Sequence, residues 1–443
     1  MKRFVRVLGW IFLSLGLIAL AIILFFSYRQ MRSESQWVHR DATAIVEVKS
    51  DRIFRELAAN ALWNPSAYFG SERDTLADTV LQKLRPWNLG VSLPANVYFF
   101  SLPSGESSYF TILPVDDLPR LQQVLSTALN TSLNVENSSN WCGRTEDKSL
   151  YVVGNERYVV LGWNPSKTDT IVEPMQQMLA SQDDFIEIAT LKAGKPKEAT
   201  GDIVFWKPGE ASFWSMDFRA GEIVIAGLLG DADWRFSNKP VGAIFPENNI
   251  LSVRLLADIR PWLAKHEDML QAQGLPWKDI EPYLGNYWEL QWKNEAVLQA
   301  DTIITYDYDD NFEMVEKREL RNETVPDLTL SFMASPHLLS YLPEKLFYKF
   351  YKKQAGQLLI LSTNNARPAQ GQELVPQTDL LYVRYQQPEI WNAPIPMPTW
   401  LQKIERADIA GTQGAEQTIN VSGTFEFTNG NLHPLKHLLS PKR

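Results

Sequence analysis

The sequence predicts an α+β protein in which an N-terminal single transmembrane helix precedes a duplicated, largely antiparallel strand–helix–hairpin module. Three observations support this fold class. An uncharged apolar segment lies near the N-terminus, short strand patterns are followed by helix patterns, and alternating segments flank turn residues. The remaining chain of roughly 400 residues exceeds one ordinary hydrophobic core, so we expect two domains.

The first element is the apolar segment from Val7 to Tyr28, which carries no charged residue. At a rise of about 1.5 Å per residue, a helix of this length crosses a hydrocarbon core about 30 Å thick. Trp10 and Tyr28 lie at its ends, where aromatic rings prefer the membrane interface. We therefore expect a membrane anchor at 7–28. A cleaved signal peptide ending near Ala21 is the competing interpretation.

The charges that flank this segment predict its orientation. Three basic residues, Lys2, Arg3 and Arg6, precede the apolar segment, and this small excess favours a cytoplasmic N-terminus. The expected order is a cytoplasmic tail at 1–6, the anchor, and a juxtamembrane linker at 29–41. The bulk of the chain would then lie outside the cytoplasm. For a bacterial protein of the inner membrane, that location is the periplasm.

Two stretches show the predicted repeating unit most clearly. In "TAIVEVKSDRIFREL", alternation from Ala44 to Val48 predicts a half-buried strand, and helical spacing follows Asp51. In "ILSVRLLADIRPWL", an alternating strand is likewise followed by Asp258 and a helix pattern. Aspartate favours the N-cap position because its carboxylate accepts the free N–H groups of the first turn. Both segments therefore predict a strand, a short connection and a capped helix.

The same pattern recurs later in the chain, and hairpins separate the copies. "LTLSFMASPHLLSYL" places Pro336 at a predicted first helical position, and "LLYVRYQQPEIW" places Pro388 in a similar setting. Alternating segments also flank three groups of turn residues, which predicts antiparallel hairpins at those points. The predicted turns fall at 154–155, 220–221 and 309–311.

The tripeptide Arg-Pro-Trp occurs twice, at 85–87 and 260–262, each time before a strand pattern. Proline begins or ends helices and tryptophan fills a large space between helix and sheet, so we interpret the repetition as inherited packing. A shared ligand site is the alternative. The predicted domains are 42–195 and 200–443, separated within the polar stretch 191–201. The loop at 362–377 is a candidate for a further boundary.

Composition limits the partners of the protein. The formal net charge is −9, whereas binding of nucleic acid needs a basic surface, so we expect no nucleic-acid partner. Cys142 is the only cysteine, and an intramolecular disulfide is therefore excluded. Hydrophobic residues make up 45% of the chain and charged residues 21%, which is typical of a globular protein.

Two groups of residues are candidate metal ligands. Asp307, Asp309 and Asn311 alternate as in a calcium loop, but Phe312 and Arg318 stand where such a loop needs Gly and Glu. An acidic hairpin tip is therefore the favoured interpretation. The second group is His433 and His437, which a helix would place on one face, but no third zinc ligand can be named from the sequence. We interpret these histidines as surface residues and expect no cofactor.

The sequence contains no motif that indicates a particular reaction. It lacks the Gly-x-Ser-x-Gly pattern of hydrolases, and neither GxGxxG nor GxxxxGK[ST] is present. Catalytic carboxylate pairs meet only in three dimensions and cannot be recognised by spacing. The pattern therefore favours binding over catalysis without deciding between them.

The stretch 341–354, "YLPEKLFYKFYKKQ", combines basic and aromatic residues. After Pro343 it predicts a helix, and such compositions are typical of helices that contact anionic membranes or partner grooves. The candidate surface residues are Lys345, Phe347, Tyr348, Lys349, Phe350, Tyr351 and Lys352. The alternative is a helix that packs an ordinary apolar stripe on a sheet and leaves its lysines in solvent.

The layout of an N-terminal anchor and repeated strand–helix units resembles that of uncharacterised bacterial membrane-anchored extracytoplasmic proteins with a βα-repeat outer region. The resemblance implies no functional residue. We expect a membrane-anchored binding or scaffold protein, an accessory subunit in envelope assembly or secretion that contacts the membrane and an envelope protein. The alternatives are an envelope hydrolase or glycan-binding protein, with acidic residues and tryptophan in a cleft, and a lipid carrier with a long apolar cavity.

Overall fold

A computed structural model describes most of the chain. The described residues are 24–69, 89–103, 108–128, 131–135, 141–165, 171–181, 183–230, 235–237, 241–246, 248–272, 274–308, 314–343, 345, 348–366, 374–398, 400–415 and 418–439. The chain divides into two compact units. The first contains residues 1–220 and 431–443, and the second contains residues 221–430.

The first unit is built on an antiparallel sheet. Nine of its described strands pair in the order β11-β10-β2-β3-β4-β8-β7-β6-β5. Their bounds are β2 Ala44–Val48, β3 Val97–Ser101, β4 Tyr109–Pro114, β5 Thr131–Val135, β6 Trp141–Thr145, β7 Leu150–Gly154, β8 Tyr158–Trp163, β10 Ile203–Trp206 and β11 Phe213–Arg219. Two further strands, β1 Trp37–His39 and β9 Phe185–Glu187, pair with each other.

Helices of the first unit are mostly short. A helix over residues 24–34, α1, precedes β1. The others are α2 Ser50–Trp63, α3 Pro65–Phe69, α4 Leu118–Ala128, α5 Val172–Ala180, α6 Ile188–Lys192 and α10 Pro434–Leu439. One core cluster joins α4 to the sheet through Leu121, Leu125, Trp141 and Val152, all of them buried. The apolar face of α4 therefore packs on the sheet, as the spacing of its leucines requires.

The second unit is also built on an antiparallel sheet. Its described strands pair in the order β12-β24-β23-β22-β15-β17-β18-β20-β19. Their bounds are β12 Glu222–Leu229, β15 Asn249–Leu255, β17 Leu284–Tyr308, β18 Met314–Ala334, β19 Tyr351–Ala355, β20 Leu358–Ser362, β22 Asp379–Gln386, β23 Ile404–Gln413 and β24 Ile419–Phe427. The hairpin of β17 and β18 continues well beyond the residues that pair with β15 and β20.

The remaining elements of the second unit are small. Strand β13 Arg235–Phe236 pairs with β16 Ala257–Asp258, and β14 Val241–Gly242 pairs with β21 Val375–Pro376. The helices are α7 Arg260–Lys265, α8 Glu267–Ala272 and α9 Trp277–Ile280, with 3-10 turns at Glu281–Tyr283, Pro336–Ser340 and Leu401–Lys403. Trp277 and Ile280 of α9 are buried against Phe332 and Leu359 of the sheet.

Seven strands follow the same order in both units. In the first unit the order is β11-β10-β2-β3-β4-β8-β7, and in the second it is β23-β22-β15-β17-β18-β20-β19. Each strand of the first order corresponds to the strand at the same place in the second order. The corresponding strands also follow one another in the same succession along the chain. Strands β2 and β15 are each followed by helices before the next strand of the shared order, β3 or β17. The two units therefore share an arrangement of strands.

The predicted fold class is wrong. The described chain consists mainly of antiparallel sheet with short helices, rather than an α+β arrangement led by a membrane helix. Within the part of the chain that the structure describes, no helix combines the length and the apolar character needed to cross a bilayer. The predicted anchor at 7–28 lies outside the described residues as far as residue 23.

Predicted helix caps are also corrected. The first turn of α2 begins at Ser50 and has no side-chain cap; Asp51 lies inside that turn and binds Arg29 instead. Asp258 belongs to β16, and its carboxylate accepts both the backbone amide of Arg260, the first residue of α7, at 3.1 Å and the Arg260 guanidinium at 2.7 Å, although the N-cap position is held by Ile259. No helix forms at 387–398 after Pro388. The carboxylates of Asp51 and Asp258 are thus each bound by a nearby arginine guanidinium.

Candidate functional site

A cavity of about 770 Å³ in the first unit is the candidate functional site. Small-molecule sites commonly have volumes of about 300–1,000 Å³. Five elements form its walls: α1, the end of β2, the start of α2, the loop before β3, and the end of α6. The lining residues are Phe26, Ser27, Gln30, Met31, Glu34, Glu47, Lys49, Asp51, Arg52, Arg55, Asn96, Lys192 and Lys195. Five of them are basic and three are acidic, which leaves an excess of two positive charges.

Helical geometry brings the basic residues together. Lys49 is the N-cap of α2, and Arg52 and Arg55 follow at intervals of three residues, so the three project to one side of the helix start. Lys192 ends α6, and the chain keeps turning after it because the Gly194 and Lys195 amides donate to carbonyls of that helix. Lys195 is thereby directed back towards the cavity.

Glu47 is the buried carboxylate at the base of the cavity. It is 1% exposed, and its Oε2 atom accepts a bond of 2.5 Å from Lys195 Nζ. Its Oε1 atom accepts bonds from Tyr98 Oη at 3.0 Å and Asn96 Nδ2 at 3.1 Å. Burial alone would raise the pKa of Glu47, but the bond from Lys195 and its charge outweigh burial and lower it. Glu47 is therefore held ionised.

Arg52 is also committed to acidic partners. Its guanidinium lies 2.9 Å from Asp202, 2.9 Å from Asp217 and 3.0 Å from Glu56. Asp202 is fully buried, and burial raises its pKa despite the amide of Phe218 that donates to it at 2.7 Å. This network fixes the first turns of α2 on the sheet, so the cavity wall they form is rigidly placed.

Two contacts attach α1 to the rest of the cavity. Arg29 forms two bonds of 2.8 Å with the carboxylate of Asp51 and donates to the Leu93 carbonyl at 2.9 Å. Glu34 lies 3.1 Å from Lys192 Nζ. These pairs neutralise both acids, and the bidentate geometry of Arg29 orients the helix as well as holding it.

Lys49 and Arg55 are the cations of the cavity without an acidic partner. Among the described residues, neither side chain forms a hydrogen bond or ion pair; Arg55 stacks on the Phe26 ring with 5.4 Å between the guanidinium carbon and the ring centroid. Lys49 is half-buried, and burial, with Lys195 and Arg52 adding repulsion, lowers its pKa although Glu47 opposes this. The excess positive charge therefore resides at these two residues.

The predicted histidine pair does not form a metal site. His433 precedes α10, whose first residue is Pro434, so the two histidines do not share a helical face. His433 is 2% exposed, against the prediction of a surface residue, and its Nδ1 atom accepts the Leu435 amide at 3.3 Å. Burial lowers its pKa. Among the described residues, no group of three or more His, Cys, Asp or Glu side chains is placed to hold a metal ion.

The predicted acidic loop lies mostly beyond what the structure describes. The backbone of Asp307 belongs to β17 and pairs with Val315. Asp309 and Asn311 lie outside the described residues. The antiparallel pairing of β17 and β18 on either side confirms that this segment joins the two strands of a hairpin.

The predicted basic and aromatic helix is wrong. Instead, Tyr351 and Lys352 begin strand β19, and Lys345 and Lys349 form an isolated backbone bridge with each other. Phe350 is 5% exposed and belongs to the core, against which Tyr348 packs. The Lys352 ammonium donates to the Leu342 carbonyl at 2.5 Å. Phe347 lies outside the described residues.

A second polar cluster lies in the second unit and is filled by protein atoms. Tyr287 and Gln291 both donate to the buried carboxylate of Glu289, and Arg254 donates to the Ala243 carbonyl at 2.9 Å. Burial raises the pKa of Glu289. Arg254 also lies beneath the stacked rings of Phe245 and Tyr382. Because the Glu289 carboxylate is bound by two neutral side chains of its own strand, we assign this cluster a structural role.

One sequence signal could have revealed the cavity. Lys49, Arg52 and Arg55 are spaced by three residues, as are Lys192 and Lys195. The stretch 191–201 was interpreted as a linker between domains because it is polar. The structure instead places Lys192 and Lys195 at the cavity and continues the first unit to Ala220.

Comparisons with known proteins do not identify the chain. No family model matches the sequence, and no curated protein matches it. Two solved structures of TP0453 are weakly similar. Crystal form III has 9% identity and a TM-score of 0.22, covering 73% of this chain and 89% of that chain. Crystal form I has 8% identity and a TM-score of 0.21, covering 72% of this chain and 87% of that chain. Similarity at this level carries no functional argument.

Proposed function

We propose that the protein is a binding protein and that the cavity of its first unit holds an anionic ligand. One observation carries this proposal: Lys49 and Arg55 line the cavity without an acidic partner among the described residues, whereas the three acidic residues that line it are each bound to a cation. In a chain of net charge −9, an excess of positive charge in a concave site is a specific feature. Such a site attracts anions because the surrounding protein screens charge less than water does.

The start of α2 adds to this preference. Its N-cap residue, Lys49, makes no side-chain bond to the first turn, and the positive end of the helix dipole lies at the cavity. The Asp51 amide of the first turn already donates to the Ala95 carbonyl at 3.1 Å, so the helix dipole is the part of this helix start that favours an anion. The cations and the helix start therefore favour the same sign of ligand.

The alternatives from the sequence receive less support. A glycan-binding cleft was expected to contain tryptophan, and a lipid carrier was expected to contain a long apolar cavity. The residues that line this cavity are mainly charged or polar, and tryptophan is not among them in the described chain. A hydrolase is expected to bring together acidic residues and exposed tryptophan, whereas each acidic residue that lines this cavity is bound to a cation.

Calorimetric titration of the full chain with inorganic phosphate tests the proposal. We expect saturable binding that weakens as ionic strength rises, because salt screens the attraction. The Lys49→Met variant should bind about tenfold or more weakly, since a hydrogen bond to a charged group contributes about 1.5–3 kcal/mol.

Lys197→Met is the matched control. Lys197 is exposed, lies two residues from Lys195 and does not line the cavity, so its removal lowers the net charge equally without changing the site. Equal loss of binding in both variants, or absence of binding to the unmodified protein, contradicts the proposal.

A further inference from the structure

The cavity has an apolar wall as well as a charged floor. Phe26 and Met31 line it from α1, and Met31 is 69% exposed. Phe26 lies beneath Arg55 and forms an edge-to-face pair with Phe25, with ring centroids 5.7 Å apart. Arg55 therefore lies against an apolar ring and also lines the cavity.

The charge of the site suits a phosphate group. The two cations without acidic partners match the charge of a phosphate monoester, which is about −1.5 to −2 at pH 7. A guanidinium binds phosphate through two parallel N–H bonds, and an ammonium adds a point charge. A carboxylate of charge −1 would neutralise only one of the two residues.

We propose that the ligand is an organic phosphate monoester whose phosphate group binds Lys49 and Arg55 and whose apolar substituent packs on Phe26 and Met31. This inference rests on the proposed function and specifies its ligand class. The volume of about 770 Å³ leaves room for a substituent beyond the phosphate group. Burying that substituent on Phe26 and Met31 is favourable because apolar surface leaves water.

A series of probes of increasing length tests the inference. Inorganic phosphate, ethyl phosphate and hexyl phosphate are titrated into the full chain. We expect affinity to rise along the series by about two- to fourfold for each methylene group that contacts the wall. With Met31→Ala, which leaves the Phe26 ring beneath Arg55 in place, hexyl phosphate should lose part of this gain, while the affinity for inorganic phosphate stays within about twofold of the unmodified protein.

Lys49→Met distinguishes this site from other apolar surface. This variant should lower the affinity for inorganic phosphate and for hexyl phosphate by the same factor, because the phosphate groups of both probes make the same contact with Lys49. Hexyl phosphate that binds Lys49→Met as tightly as the unmodified protein overturns the inference, since its alkyl chain then binds elsewhere.

The remaining outcomes separate the two proposals. If inorganic phosphate binds but affinity does not change with chain length, or if Met31→Ala leaves the gain intact, the ligand class is wrong and anion binding stands. If inorganic phosphate does not bind, both proposals are wrong.

Competition against hexyl phosphate identifies the source of the phosphate group. The competitors are glycerol 3-phosphate and phosphatidylcholine vesicles with or without phosphatidic acid. Competition by glycerol 3-phosphate indicates that the phosphate group belongs to a soluble ester. Competition only by vesicles that contain phosphatidic acid indicates that it belongs to a lipid head group. Both results support the ligand class, whereas failure of all competitors overturns it.

Discussion

Lys195 Nζ lies 2.5 Å from Glu47 Oε2, and the two side chains differ in exposure: that of Glu47 is 1% exposed and that of Lys195 is 13% exposed. The lysine thus compensates a carboxylate that has almost no access to water. It also lies over the Trp206 ring, with 5.1 Å between the nitrogen and the ring centroid. This pair joins the central strand of the first unit to the turn after α6, and it closes the floor of the cavity.

Replacing Lys195 with Met should destabilise the protein by about 3–5 kcal/mol, because it leaves the Glu47 charge buried without a cation. Chemical denaturation measures this change. The double variant Glu47→Gln, Lys195→Met should recover part of the loss, since the amide carries no charge. If the free energy of unfolding of Lys195→Met lies within about 1 kcal/mol of that of the unmodified protein, the pair is not needed for stability.

Glu289 should give the opposite pH dependence from an ordinary ion-paired carboxylate. Burial raises its pKa above the unfolded value, so the folded state holds the proton more tightly. Its contribution to stability is therefore complete at low pH and is lost as pH rises through the folded pKa. Compared with Glu289→Gln, the unmodified protein should lose stability as pH rises from about 4.3, where the unfolded carboxyl titrates. Parallel stability curves for the two proteins would contradict this assignment.

His433 should make the first unit sensitive to mild acid. Burial lowers its pKa, so below about pH 6.5 the unfolded state takes up a proton that the folded state resists. Stability should fall as pH decreases from 7 to 5, with a slope of at most about 1.4 kcal/mol per pH unit. The variant His433→Asn should lose this slope, because its amide oxygen can accept the Leu435 amide without titrating. An unchanged slope in denaturation curves would assign the effect to another group.

The tryptophans of the second unit should differ in their importance for stability. Trp277 is 3% exposed and belongs to a core cluster, so Trp277→Ala should cost about 3–5 kcal/mol. Trp262 is half-buried in a helix of six residues and packs on His266, with ring centroids 4.3 Å apart. Trp262→Ala should lower the free energy of unfolding by less than half as much, as measured for both variants by chemical denaturation. Equal costs would contradict the interpretation that packing depth decides the role of these residues.

The sequence predicted local strands better than it predicted the fold class. Alternation located β2 at Ala44–Val48, and the predicted hairpin at Gly154 and Asn155 is confirmed by the pairing of β7 with β8. These features depend on residues that are close in the chain. The extent of the sheet depends on distant pairings, such as β12 with β24 and β10 with β2, which leave no local pattern.

The same distinction explains the errors in the helices and the site. Pro388 fits a helix start locally, but the chain forms a loop there, whereas a helix does begin at Arg260, two residues after Asp258. Likewise, the cavity unites residues from α1, β2, α2 and α6 that are up to about 170 positions apart. The basic residues at intervals of three were visible in the sequence, but which acids would pair with them was not.

The position of a bound anion tests the central claim most directly. A crystal of the full chain soaked in selenate, a phosphate analogue with a strong anomalous signal, locates the anion without assumption. The claim predicts an anomalous peak whose oxygen atoms lie about 2.7–2.9 Å from Lys49 Nζ and from the Arg55 guanidinium. A cavity that stays free of selenate while other cationic surfaces of the chain bind it would contradict the claim.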